Sequence, residues 1–256
     1  MSEIARPLRL YLRLAFGICW GVGLVMLMLP LAEGAPRVAI WFLAVAGGPT
    51  IAALAAARAS GREVLAQYAA RIARPGGPWL LVGPVLILSV HLLAATCRGA
   101  PLHGNGVGTL ISGVVATTLV DPGPLEEFGW RGFLQPLLRH RFSVLVSSLI
   151  VGVVWGIWHL PALVLPGFPQ HDPATPLPLA IGRFLLQTTA LSVVMGHVVD
   201  RARGAVVPAI LMHWAANQGA AGHLSAFDPS AWTVAITATA LLVVAALPPR
   251  TDDRSG

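Results

Sequence analysis

Three clusters of polar residues interrupt an otherwise apolar chain, and their side chains are those of hydrolytic chemistry. The first is Glu126-Glu127-Phe128-Gly129-Trp130-Arg131. On a helix, Glu127 and Arg131 stand i,i+4 on one face with the acid leading, the favourable order for an ion pair. Glu126 projects about 100° away from them. One carboxylate is therefore neutralised within its own helix, while the other is free to meet a partner elsewhere. Pro124, just upstream, puts both acids in a first helical turn, where the dipole favours negative charge. Read alone, the segment fits two descriptions: a helix start capped by two acids beside a membrane interface, or a catalytic pair.

The second cluster centres on His159, in Trp155-Gly156-Ile157-Trp158-His159-Leu160-Pro161. The third is His213-Trp214-Ala215-Ala216-Asn217, whose His213 and Asn217 again share a helix face. A lone histidine in a membrane helix is commonly a hydrogen-bonding strut. Ionisable groups in lipid cost roughly a few kcal/mol each, which makes them functional suspects. Two histidines, a free carboxylate and an amide are satisfied more simply by one shared polar interior than by unrelated struts.

The elements that must position these groups follow from composition. The 256 residues are 55% hydrophobic and only 11% charged, with a mean hydropathy of +0.73. A soluble surface needs about a quarter of its residues charged, so most of this one faces lipid. Helices are the expected elements, because open sheet edges cannot be satisfied in a bilayer. The expectation is an all-α, multi-pass transmembrane bundle in the cell membrane. Eight runs approach the length of about 20 residues that a span requires: 12–32, 38–57, 78–97, 106–122, 142–165, 176–199, 204–222 and 230–248. A break at Pro122-Gly123-Pro124 leads into a helical stretch over 124–138. The N-terminus is basic and then apolar without a clear small-residue cleavage site, and reads as a retained first span.

The basic residues are 17 arginines and no lysine. With the N-terminus inside, thirteen arginines fall in the cytoplasm and only Arg37 and Arg98 outside, which sets both termini cytoplasmic. Clustering between apolar runs makes this a topology signal rather than a nucleic-acid footprint. Residues 61–74 alternate arginines with apolar side chains at helical spacing, as a helix on the inner leaflet would. Cys19 and Cys97 read as two small buried hydrophobes. His91 and His197 lie in or at the end of spans, and Arg183 near an outer end can snorkel or pair with an acid.

The three polar stations resemble the motifs of the CAAX protease and bacteriocin-processing family, also called CPBP or Abi. They read Glu126-Glu127-x-x-x-Arg131, Trp155-x-x-x-His159 and His213-x-x-x-Asn217, with Trp155 where phenylalanine is commoner. The resemblance covers roughly 106–222, and it divides the chain into a three-span region (1–105), a protease core (106–222) and a last span with a tail (223–256). It implies an intramembrane endopeptidase acting on a peptide or protein substrate, lipidated or membrane-embedded, within the lipid bilayer and without nucleic acid.

The family offers two mechanisms. In one, Glu126 and His159 orient and deprotonate water, His213 and Asn217 donate to the oxyanion, and Glu127 with Arg131 supports the motif helix. In the other, Glu126, His159 and His213 are zinc ligands, with a fourth position for water. The sequence leans slightly to the metal-free route, because Asn217 suits an oxyanion donor better than a ligand. Two other classes share the residues: a transporter using the cluster and the 122–124 break to hold a cation or substrate, and a non-proteolytic immunity or scaffold protein. Counting from the loops puts Glu126 in the inner half of the membrane and His159 in the outer half. A common site thus requires the break to shift the motif helix, or strongly tilted spans.

Overall fold

The computed structural model describes residues 2–28, 35–100, 111, 115, 123–166, 168, 170–222 and 227–247, and every regular element among them is helical. The protein is a multi-pass helical bundle. Helices α1 (Ser2–Met28), α2 (Ala35–Ser60), α3 (Arg62–Ala73) and α4 (Trp79–Cys97) come first. A composite helix, α5, follows over 123–139. Then come α6 (Val144–Trp158), α7 (Leu160–Val164), α8 (Leu177–Arg201), α9 (Val207–Ala220) and α10 (Pro229–Ala246).

Burial is inverted relative to a water-soluble fold. Met28 and Leu81 are each 73% exposed and Leu241 is 70% exposed, while Glu127 and Arg131 are 0% exposed. Apolar side chains outside and charges inside are what lipid as solvent selects. Among the described residues, four helices are long and apolar enough to cross a bilayer, those over Ile4–Met28, Trp79–Cys97, Leu177–Arg201 and Pro229–Ala246. They coincide with four of the expected spans.

Elsewhere the expected spans change shape. The run 106–122 lies outside the described residues except for positions 111 and 115, both helical. The run 142–165 is not one helix: it stops at Trp158 and resumes at Leu160, so His159 caps a helix end rather than sitting within a span. Pro161 explains the break, since proline cannot donate to the helical ladder and clashes with the turn before it. The run 204–222 shortens to the 14 residues of α9. Residues 61–74 do form the expected helix, α3, with Tyr68 buried beneath it.

The depth conflict between Glu126 and His159 is resolved by a hairpin. Helix α5 ends at Arg139, the chain turns at Ser143, and α6 returns antiparallel. Glu126 lies thirteen residues before Arg139 and His159 fifteen beyond Val144, about 20 Å from the turn in each case. The two therefore reach the same level of the hairpin, 3.9 Å apart at Glu126 Oε1 and His159 Nε2.

Arginines gather at the turn end. Arg139 meets Asp200 at 3.4 Å, the Arg74 guanidinium donates to the Arg203 carbonyl, and Val206 N–H donates to Arg71 O at 3.2 Å. At the other end Arg98 pairs with Asp228 at 2.7 Å. Asp228 also caps α10, and the backbone N–H of Ala231, followed by that of Ser230, helps hold its carboxyl below the ordinary range. Arg183 adds a smaller favourable charge interaction to both Asp172 and Asp228. Cys97 is exposed at the end of α4, correcting the expectation that both cysteines are buried; Cys19 is buried.

Candidate active site

Helix α5 changes register three times in seventeen residues. A 3-10 turn, Gly123–Glu126, passes into an α-turn, Glu127–Gly129, then a π-turn, Trp130–Leu134, and an α-helical end, Gln135–Arg139. All five residues of the π-turn are buried. One-turn π segments are frequent at functional sites. Gly129 lets this helix press on α2: a Cβ there would lie 2.5 Å from Pro49 Cβ and 2.6 Å from its carbonyl oxygen.

Helix α6 is seated against α8 through small residues. A Cβ on Gly152 would lie 2.5 Å from Thr189 Cα, and one on Gly156 would meet the Thr188 hydroxyl at 2.6 Å. The Ser192 hydroxyl donates to Ser148 O at 2.8 Å. Small residues bring backbones close where no hydrophobic force between helices exists. Helix α1 braces the end of α6: Trp158 Nε1 donates to Ala15 O at 2.9 Å, and Trp20 Nε1 donates to Trp158 O at 3.2 Å.

These elements bring Glu126, Glu127, Arg131, His159 and His213 together. Arg131 Nη1 lies 2.8 Å and 3.0 Å from the two Glu127 oxygens, the ion pair read from the i,i+4 spacing. His213 Nδ1 lies 2.8 Å from Glu127 Oε1. The carboxylate accepts, so Nδ1 carries the hydrogen and Nε2 is the ring's other functional nitrogen.

Glu126 faces a different set. Its Oε2 accepts from Trp155 Nε1 at 2.8 Å and from Trp130 Nε1 at 3.3 Å, while Oε1 lies 3.9 Å from His159 Nε2. His159 Nδ1 donates to Trp155 O at 3.0 Å, which leaves Nε2 of the neutral ring with its lone pair toward Glu126. Asn217 lies one turn beyond His213 on the same face of α9 and is half-buried.

Two relationships were not legible in the spacing. Glu127 serves Arg131 and also orients His213, 86 positions away. Trp155, which stands where phenylalanine is commoner, uses its N–H on the Glu126 carboxylate; the available signal is that a buried indole N–H needs an acceptor. His91 and His197 take no part. His91 stacks on Trp232 at 3.9 Å, and His197 Nδ1 lies 2.8 Å from Val193 O.

Glu126, His159 and His213 do not form a chelating set. Among the described residues no three His, Cys, Asp or Glu side chains are gathered as a metal ion requires. The chemistry is therefore derived below from the protein's own groups.

Comparison with known proteins agrees with the motifs. The family described as type II CAAX prenyl endopeptidase Rce1-like matches residues 107–219. The protein named CAAX prenyl protease 2 of Methanococcus maripaludis is 25% identical over 92 residues, 36% of this chain and 34% of that protein. The chain thus matches about a third of the length of that curated relative. The matched segment contains every residue of the three motifs, so residues 107–219 are similar to the Rce1-like CAAX endopeptidase family at the positions gathered in this site.

Proposed function

We propose that this integral membrane protein is an intramembrane endopeptidase of the cell membrane that hydrolyses a peptide bond with water activated by Glu126 and His159. The observation that carries this reading is the 3.9 Å gap between Glu126 Oε1 and His159 Nε2. Both atoms accept hydrogen bonds, so a molecule between them must donate twice. A water with two arms of about 2.8 Å spans about 4.4 Å between acceptors, close to that gap. With both hydrogens engaged, its lone pairs face outward to attack a carbonyl.

Proton flow then follows from geometry. As the water oxygen bonds to the scissile carbon, its proton passes to Glu126 Oε1. The carbonyl electrons move to oxygen, where Asn217 N–H and His213 Nε2–H, the latter with the ring protonated, serve as donors. Glu126 returns its proton to the departing amine as the C–N bond breaks. Glu127 holds His213 through Nδ1 and is itself balanced by Arg131. With one guanidinium against two carboxylates, the cluster is neutral when Glu126, His159 and His213 share one proton, as a low-dielectric site favours.

The first substrate to test is a prenylated peptide ending in a CAAX sequence, beside its unprenylated form. Purified protein in lipid vesicles should cleave it, and Glu126→Gln should reduce turnover by about 10²–10⁴, the contribution of a positioned general base. Equal turnover in wild type and Glu126→Gln refutes the reading. Activity should survive a zinc chelator; its loss, restored by added zinc, would replace this route with the metal-dependent one.

A further inference from the structure

Trp155 is the position at which this chain departs from the motif it resembles, with an indole where a phenyl ring is commoner. The difference is one N–H group. Trp155 is 3% exposed, and its N–H lies 2.8 Å from Glu126 Oε2. Trp130, one turn beyond Glu126 on its own helix, reaches the same oxygen at 3.3 Å. Two neutral donors on two helices thus converge on one carboxylate oxygen and leave the other facing His159.

The same ring touches the rest of the cluster. The Arg131 guanidinium carbon lies 4.8 Å from its centroid, and the His213 and His159 rings meet it edge-on at 5.2 Å and 5.8 Å. A phenyl ring could make those three contacts. It could not make the bond to Glu126, which distinguishes this chain's site.

We infer that Trp155 is a positioning residue, whose indole N–H fixes Oε2 of Glu126 so that Oε1 alone is presented to the water. The inference rests on the proposed hydrolysis at Glu126. A glutamate has a terminal torsion that exchanges its two oxygens. An unpinned carboxylate spends part of its time with neither oxygen aligned, and a base held in place before reaction avoids that loss.

Two replacements test this: Trp155→Phe, and site-specific 3-benzothienylalanine at position 155, which keeps the bicyclic shape and puts sulfur in place of N–H. Kcat, KM, melting temperature and the infrared carboxylate band of Glu126 are measured, the band taken as the difference between each protein and its Glu126→Gln counterpart. The benzothienyl protein should show kcat lowered about fivefold, the value of one ordinary hydrogen bond, with KM and melting temperature unchanged and the band displaced. Trp130→Phe should have a smaller effect, because its bond is longer. Wild-type kcat in the benzothienyl protein, or an unmoved band, overturns the inference, as does a loss seen only in melting temperature. Should wild-type protein cleave no peptide, the proposed function fails, and the band decides the positioning role alone: displacement supports it and constancy overturns it.

Discussion

Glu127→Gln separates electrostatic support from catalysis. The Glu127 carboxylate is fully buried, pairs with a fully buried Arg131 at 2.8 Å, and accepts from His213 at 2.8 Å. Glutamine keeps the shape and one acceptor oxygen but removes the charge. Arg131 is then a buried cation without its counter-ion, a change that costs about 3–5 kcal/mol where one partner of a buried pair is removed. For a chain of this size, a loss of that order lowers the melting temperature by roughly 10 °C. Glu126→Gln, by contrast, removes a carboxylate held by two neutral indole donors, and its stability should move by about 1 kcal/mol or less.

Cys19 supplies the assay, because it is buried in the native fold while Cys97 is exposed. On a Cys97→Ser background, a thiol-reactive dye reports unfolding as Cys19 becomes accessible on heating. The decisive protein is the double variant Glu127→Gln/Arg131→Met. Replacing both members of a buried pair by groups without net charge is often close to neutral, so the double variant should melt above Glu127→Gln alone. A Glu127→Gln protein that melts with wild type, or a double variant no more stable than the single one, refutes the account of Glu127 as counter-ion.

Other substitutions probe the remaining parts. Asn217→Ala should lower kcat by about 10²–10³ with little change in KM, the signature of a lost oxyanion donor, and near-normal kcat counts directly against that role. Gly129→Ala should cost about 1–3 kcal/mol in the melting assay, because its Cβ would meet the Pro49 backbone, whereas Gly17→Ala, with nothing within 4 Å, should be silent. Reporter fusions after Arg58, Arg141, Arg203 and Arg254 should all read cytoplasmic, and a signal from the opposite side at any of them breaks the arginine-based orientation.

What was legible in the sequence depended on the range of the interaction. The spans at α1, α4, α8 and α10 were legible because length and apolarity are local properties. The Glu127–Arg131 pair was legible because i,i+4 is a property of one helix. The π-turn at Trp130–Leu134 was not, since it arises where five consecutive residues are all enclosed by other helices. Nor was the Glu127–His213 bond, which joins α5 to α9 and leaves no trace in either helix's periodicity. That Glu126 and His159 meet was legible only as a requirement that the 122–124 break shift the motif helix. Packing of α5 against α6 as a hairpin brings the two within 3.9 Å.

That hairpin also explains why the catalytic candidates depend on helices outside the matched region. A two-helix arm brings Glu126 and His159 to one level but does not fix their separation. Glu126 is set by the seating of Gly129 on Pro49 of α2, where no Cβ could fit. His159 follows a helix end whose last residue, Trp158, is held on both sides by α1: its N–H on Ala15 O, and its carbonyl by Trp20 N–H and the Cys19 thiol at 3.3 Å. The 3.9 Å gap is therefore the difference between two positions set by separate N-terminal helices. A hydrolytic site that must hold a water between two acceptors tolerates little drift in that gap, and here α1 and α2 supply the constraint that the hairpin lacks.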